Sequence, residues 1–238
     1  MTPNRADQIA VALDTSDRDQ FRHWCGVFGP RVGLLKVGLE AFVRWGPAAV
    51  EEARASARVF LDLKLHDIPN TVAGAVEAVS DLGVDYVTVH ASGGAEMLRA
   101  AAEAGQGRVR VLAVTLLTHM DAESLAGLGV EGPPEVLVST WARLAADSGC
   151  AGAVCSPHEV ARLRSELPRS FVLVTPGIRP AGAPSDDQKR TATPAEALAA
   201  GADLLVVGRP LTGSDNPRAA LRRLLAGLSP RKLARRSG

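Results

Sequence analysis

Short apolar runs alternate with longer amphipathic stretches along most of the chain. Eight of these runs are rich in leucine and β-branched residues, have the length of strands, and are separated by stretches in which apolar residues return with a helical period. The runs span residues 9–13, 33–37, 59–63, 86–90, 109–114, 152–155, 171–175 and 204–207. This alternation predicts an α/β protein with a parallel sheet.

Residues that start and stop helices fall between the predicted strands. Thr193-Pro194 followed by Glu196 has the pattern of a capping box, and Pro69 suits the first turn of a helix. Gly83 and Gly201 stand where helices should end. Eight βα units in 238 residues favour a single (β/α)8 TIM barrel over an open doubly wound sheet. We expect one domain over residues 1–238, with the basic residues 229–238 as a frayed tail.

The net charge and the cysteine content of the chain indicate which partners it can bind and in which cellular compartment it works. The formal net charge of +1 gives no field that would attract nucleic acid or an anionic membrane, and no apolar run is long enough to span a bilayer. Cys25, Cys150 and Cys155 are odd in number and contain no C-x-x-C pair, which argues against disulfides and a zinc site. We therefore expect a cytoplasmic protein without nucleic-acid or membrane partners.

Polar residues collect where the predicted strands end. In barrel enzymes the chemistry lies at the carboxyl ends of the strands and in the loops that follow them. The candidates at these positions are Asp14, Lys36, Asp62, Lys64, Thr118, Arg179, Gly208 and Arg209. We expect His90, at the end of the fourth strand, to be structural.

The segment that ends the third strand has the pattern D-x-K-x-x-D. Strand alternation puts Asp62 and Lys64 on one face and the intervening leucines on the other, and Asp67 follows in the loop. Neighbouring carboxylates would keep the ammonium of Lys64 protonated. The chain uses arginine for most of its positive charge, so lysines at two strand ends suggest proton transfer. For Lys36 the alternative is an ion pair that joins neighbouring strands.

The last two strands are followed by residues suited to phosphate. Gly208 lets the backbone approach an anion, Arg209 and Arg179 add positive charge, and barrel phosphate sites favour these loops. The segment 176–190 could fold over such a phosphate, although it could also be a plain surface loop. These features predict an enzyme that acts on a small phosphorylated compound.

Residues 62–71, Asp-Leu-Lys-Leu-His-Asp-Ile-Pro-Asn-Thr, resemble the signature of the orotidine 5′-phosphate decarboxylase family. Shorter blocks that begin at Val11, Lys36, Thr175 and Gly208 resemble the family's other motifs and occur in the same order. The short bacterial form is the most similar. One departure is His119, which follows Leu117-Thr118 where the family usually has serine.

The resemblance implies decarboxylation of orotidine 5′-monophosphate to UMP and CO₂, the last step of de novo pyrimidine nucleotide biosynthesis, without a cofactor or metal. The implied catalytic residues are Lys64 as proton donor with Asp62, Asp67 and Lys36 completing a charged array. The implied substrate-binding residues are Asp14 and Lys36 for the ribose, Thr118 for the pyrimidine, and Arg179, Gln188, Gly208 and Arg209 for the phosphate. In the homodimer that the resemblance implies, Asp67 and Thr71 would reach into the neighbouring subunit's site.

Three alternatives remain open from the residues. Magnesium-dependent sugar-phosphate decarboxylases and hexulose-phosphate synthases resemble the chain in the D-x-K-x-x-D core, but they usually place an acidic metal ligand near the position of Lys36. A Schiff-base aldolase could use Lys64, although flanking carboxylates would leave its amine protonated and poorly nucleophilic. A phosphate-ligand sensor would bind UMP and leave orotidine 5′-monophosphate unchanged.

Overall fold

Eight parallel strands close into one barrel in the computed structural model, which describes residues 5–180 and 190–228. Each strand pairs with the next along the chain, and β8 returns to pair with β1. The strands are β1 Ile9–Ala12, β2 Leu34–Gly38, β3 Arg58–Leu65, β4 Tyr86–His90, β5 Arg110–Val114, β6 Gly152–Val154, β7 Val172–Thr175 and β8 Leu204–Val207. All eight predicted runs coincide with strands, and the predicted (β/α)8 barrel is confirmed.

Helices follow every strand and form the outer layer of the described barrel. They are α1 Arg18–Phe28, α2 Leu39–Trp45, α3 Pro47–Arg54, α4 Pro69–Asp81, α5 Gly94–Gly105, α6 Ala122–Ala126, α7 Pro134–Asp147, α8 Val160–Glu166, α9 Pro194–Ala200, α10 Arg209–Thr212 and α11 Pro217–Gly227. The capping box predicted at Thr193 and Glu196 is present at the start of α9. Within the described ranges, no helix has the length and apolar character needed to cross a bilayer.

Two apolar layers hold the barrel together. The outward faces of the strands pack against the helices, and this larger core contains the three cysteines, which are buried and unpaired. Inside the barrel, a smaller cluster built around Phe60, Tyr86 and Leu112 fills the space between the strands. Because alternate residues of a strand share a face, the next inward positions belong to Asp62 and Thr88, which are buried and polar. The apolar interior therefore ends in a polar layer below the carboxyl ends of the strands.

Candidate active site

A cavity of about 450 Å³ opens at the carboxyl ends of the strands. Its walls come from β1, β2 and β3 on one side and from the segments after β5, β7 and β8 on the other. Most of the predicted site residues line it, namely Asp14, Lys36, Asp62, Lys64, Thr118, Arg179, Gly208 and Arg209. Two described residues of the predicted site do not. Asp67 and Thr71 are exposed on the loop after β3 and the first turn of α4, and Gln188 lies outside the described residues.

Side chains of alternating charge lie in a row along the side of the cavity formed by β1, β2 and β3, the β1–β3 wall. Lys64 Nζ lies 2.8 Å from Asp62 Oδ1, and Lys36 Nζ lies 3.2 Å from Asp62 Oδ2. Lys36 also approaches Asp14 Oδ1 at 3.5 Å. Thus each oxygen of the Asp62 carboxylate has its own ammonium partner, and the two lysines are held on opposite sides of one buried acid.

Burial and the neighbouring charges have opposite effects on the pKa values of Asp62 and Lys36, and the effect of the charges is larger. Burial of the Asp62 carboxylate raises its pKa, but the positive charges of Lys36 and Lys64 outweigh that effect and lower the pKa to about 2. Burial lowers the pKa of Lys36, yet attraction by Asp62 and then Asp14 raises it above its ordinary value. Both groups are consequently ionised at neutral pH.

Gly38 at the end of β2 allows this close packing of charges. A Cβ atom at this position would lie 2.5 Å from Asp14 Oδ1 and 3.1 Å from Lys36 Nζ. Any side chain there would push the carboxylate of Asp14 away from Lys36. Glycine therefore leaves room for the observed approach of the two side chains.

The backbone of β3 departs from regular geometry at Lys64. Lys64 has φ of 53°, the left-handed region, which costs a residue other than glycine roughly 1–2 kcal/mol. The pairing register with β4 shifts here, since Leu61 pairs with Val87 but Leu65 pairs with Val89. The leucines of β3 still pack outward against the helices, as alternation predicts, and Lys64 still faces the cavity.

Thr88 on β4 bonds to both ends of this irregular stretch. Its Oγ1 accepts a hydrogen bond of 2.9 Å from the backbone N–H of Lys64 and donates one of 2.9 Å to Asp62 Oδ1. The side chain is completely buried. Thr88 belongs to none of the sequence motifs that predict the site. One signal in the sequence could have identified it. Thr88 stands two residues after Tyr86, so strand alternation places both side chains on the inward face of β4.

The opposite wall is built from loop segments. The backbone N–H of Arg179 donates to the carbonyl of Ala192 at 2.9 Å, and Ile178 and Ala192 form an isolated parallel bridge. Gly177 takes a positive φ of 78° at the turn that leads into this bridge. The side chain of Arg179 is buried at the cavity wall, whereas that of Arg209 is exposed at the cavity mouth.

A buried ion pair supports the loop that carries Thr118. Arg190 pairs with the buried carboxylate of Glu159 and donates to the carbonyl oxygens of Leu117 at 3.3 Å and Thr118 at 3.5 Å. Glu159 also accepts from the backbone N–H of Ser156 at 2.7 Å. The pair joins the segments after β5, β6 and β7. Sequence reasoning missed it because nothing in the local pattern links residues so far apart.

His90 lies beside the charged wall without lining the cavity. Its ring centroid is 5.6 Å from that of His66. Burial, followed by the positive charges of His66 and Lys64, lowers the pKa of His90, against an opposing effect of Asp62. The lowered pKa favours the neutral ring, and the structural role expected for His90 stays a prediction.

Known proteins resemble the chain over nearly its whole length. Orotidine 5′-phosphate decarboxylase from Anaeromyxobacter dehalogenans is 53% identical, over 94% of this chain and 99% of that relative. The protein of the same name from Thermobifida fusca is 50% identical, over 94% and 96% of the two chains. The crystal structure of orotidine 5′-phosphate decarboxylase from Lactobacillus acidophilus has a TM-score of 0.82 at 34% identity and covers 93% of this chain and 99% of that chain.

A family model agrees with these pairwise similarities. The model of the Orotidine 5'-phosphate decarboxylase / HUMPS family matches residues 7–224, a range that contains all eight strands and the cavity they surround. The chain therefore belongs to the orotidine 5′-phosphate decarboxylase / HUMPS family.

Proposed function

We propose that the chain decarboxylates orotidine 5′-monophosphate to UMP and CO₂, without a cofactor. The observation that carries this proposal is the array of Lys36, Asp62 and Lys64, which faces a cavity whose opposite wall holds two arginines. The relatives that bear the name of this activity support the same choice. We assign the reaction to the cytoplasm, where it would complete de novo pyrimidine nucleotide synthesis.

The charged wall suits the bond-breaking step. Cleavage of the bond from C6 to the carboxylate releases CO₂ and leaves an electron pair on C6 that the pyrimidine ring delocalises poorly. The ammonium of Lys64, held by Asp62 at 2.8 Å, would stabilise this negative charge and then donate a proton to C6. Asp62 would repel the substrate carboxylate while it remains attached. Lys36 keeps Asp62 ionised and, with Asp14, is placed to hold ribose hydroxyls.

The opposite wall suits the phosphate. Arg179 and Arg209 supply positive charge, and Gly177 and Gly208 leave the backbone accessible along the same wall. Phosphate binding energy can organise a site far from the phosphate itself, so these contacts would raise the rate as well as the affinity. Gln188 completes this set on the resemblance alone.

The position of Lys36 separates this proposal from the magnesium-dependent rival in the same family. Its ammonium lies 3.2 Å from Asp62 and fills the place beside that carboxylate where a divalent cation would have to bind. A second cation there would meet strong repulsion from the lysine. This geometry favours the chemistry of the decarboxylase relatives over the metal-dependent reactions.

A direct assay tests the proposal. Orotidine 5′-monophosphate should be converted to UMP at the same rate with and without EDTA, as followed by absorbance and by release of CO₂. Sensitivity to EDTA would indicate the metal-dependent class. Binding of UMP without turnover would indicate a sensor, and a substrate adduct trapped on Lys64 by borohydride would indicate an aldolase.

We further propose that two chains form a homodimer with shared sites. Asp67 and Thr71 are exposed in the single chain, although the resemblance gives them roles in substrate binding and catalysis. Exposed apolar side chains occur on the segments after β2 and β3, with Val43 79% and Ile68 65% exposed. A partner that covered these side chains would bury apolar surface and bring Asp67 to its neighbour's cavity.

Mixed dimers test the shared site. Lys64→Ala and Asp67→Ala homodimers should each be nearly inactive, because every site contains one defect. After reassortment, one site of each hybrid should contain both defects and the other neither, so about a quarter of wild-type activity should return. Mass spectrometry of differently tagged chains must show that hybrids form. If hybrids form and no activity returns, Asp67 acts within its own chain.

A further inference from the structure

The register shift between β3 and β4 places Thr88 of β4 opposite three residues of β3 where regular pairing would place one. Thr88 is the single residue between Val87 and Val89, whose partners on β3 are Leu61 and Leu65. The three residues Asp62, Leu63 and Lys64 therefore stand opposite Thr88 alone. Ordinary ladder pairing cannot satisfy a stretch with two extra residues, so its polar groups need other partners.

The Thr88 hydroxyl is the partner of two of those groups. It accepts from the Lys64 backbone N–H and donates to Asp62 Oδ1, both at 2.9 Å. The same Oδ1 accepts from Lys64 Nζ at 2.8 Å. A closed ring of contacts thus runs from the Lys64 backbone through Thr88 and Asp62 to the Lys64 ammonium.

A hydroxyl completes the ring because one oxygen atom both accepts and donates a hydrogen bond. The contact to the Lys64 N–H requires an acceptor, and the contact to the Asp62 carboxylate requires a donor. Valine has the shape of threonine and can do neither, whereas serine keeps both functions. Because Thr88 is 0% exposed, water has no open route to replace it.

We propose that Thr88 is a positioning residue, which holds Lys64 in its left-handed conformation and aims the ammonium at the reacting carbon. The proposal rests on the proposed decarboxylation for its kinetic consequence. Without the hydroxyl, the Lys64 backbone loses the bond that compensates its strained φ of 53°, and Asp62 loses the contact that orients Oδ1. Lys64 then keeps its charge, but its ammonium is no longer oriented toward the reacting carbon. Thr88 lies outside the set of residues that line the cavity, so it acts through Lys64 and Asp62.

Three variants separate positioning from general stability. Thr88→Val removes the hydroxyl, and Thr88→Ser keeps it. Thr115→Val is the matched control, since Thr115 is likewise a buried threonine, directly after β5, and donates to the Val154 carbonyl at 2.9 Å, away from Asp62 and Lys64. We expect Thr88→Val to lower kcat by about 10- to 100-fold with little change in UMP affinity. Thr88→Ser should restore most of kcat, and Thr115→Val should lower Tm without lowering kcat.

Crystal structures provide a readout that does not depend on turnover. In Thr88→Val, Lys64 should leave the left-handed region or its Nζ should separate from Asp62 Oδ1, while Thr88→Ser should match the wild type. Wild-type kcat in Thr88→Val, or unchanged Lys64 geometry, would overturn the role of Thr88. If the wild type failed to decarboxylate orotidine 5′-monophosphate, the proposed function would fall, and the Lys64 geometry of the three variants would still decide whether Thr88 positions it.

Discussion

The two walls of the cavity are built by different means. On the β1–β3 wall, the charged side chains of Lys36, Asp62 and Lys64 stand on barrel strands and contact one another directly. On the β7–β8 wall, Arg179 and Arg209 follow the strands, and the bridge between Ile178 and Ala192 holds the loop at its base. Strand register holds atoms more rigidly than loops do. The first wall is therefore suited to chemistry that needs fixed charges, and the second to recognition of a ligand that enters and leaves.

The largest effect that separates the walls should come from Lys64→Ala. Turnover should fall by about 10⁴-fold or more, because both the stabilising charge and the proton donor are lost. UMP affinity, measured by calorimetry, should change little, since the β7–β8 wall with its two arginines is intact. Lys64→Arg is the matched control: it restores a charge that transfers protons poorly and should stay nearly inactive. Near-normal turnover in Lys64→Ala would remove this residue from the mechanism.

A smaller effect, on binding, should follow from Arg209→Ala. Loss of a charge-assisted contact to phosphate should weaken UMP binding by roughly 10- to 100-fold, while affinity for uridine, which lacks phosphate, should stay the same. Arg223→Ala, on the exposed face of α11, serves as a control for general loss of positive charge. Equal losses for UMP and uridine would show that Arg209 supports the structure of the wall and does not contact phosphate.

The smallest effect concerns the contribution of Asp62, on the β1–β3 wall, to the free energy of unfolding. Because folding lowers the pKa of Asp62 from 3.8 to about 2, its contribution to the free energy of unfolding is present above the unfolded value and is lost as pH falls toward 2. The difference in that free energy between wild type and Asp62→Asn should shrink by about 2 kcal/mol between about pH 5 and about pH 2. Urea denaturation at several pH values measures it. A constant difference would mean that Asp62 gains nothing from its lysine neighbours.

Sequence periodicity predicted the fold and the charged wall for the same physical reason. Alternation along β3 directs Asp62 and Lys64 inward, and the order of strands in a closed barrel brings Lys36 beside them. The role of Thr88 could not be predicted, because it depends on a register shift between two strands. The pairing of Glu159 with Arg190 depends likewise on where two distant loops meet. A linear pattern describes one element at a time and contains no information on such offsets.

The buried cysteines make the protein convenient for site-directed labelling. Burial raises the pKa of Cys25, Cys150 and Cys155 to about 12, so each thiol is both inaccessible and protonated at neutral pH. A cysteine introduced at an exposed position outside the proposed interface, such as Val136 on α7, would then be the reactive thiol toward maleimide reagents, with no need to replace the native ones. Spin labels or fluorophores attached there would report distances between chains in the proposed homodimer, in an otherwise unaltered protein.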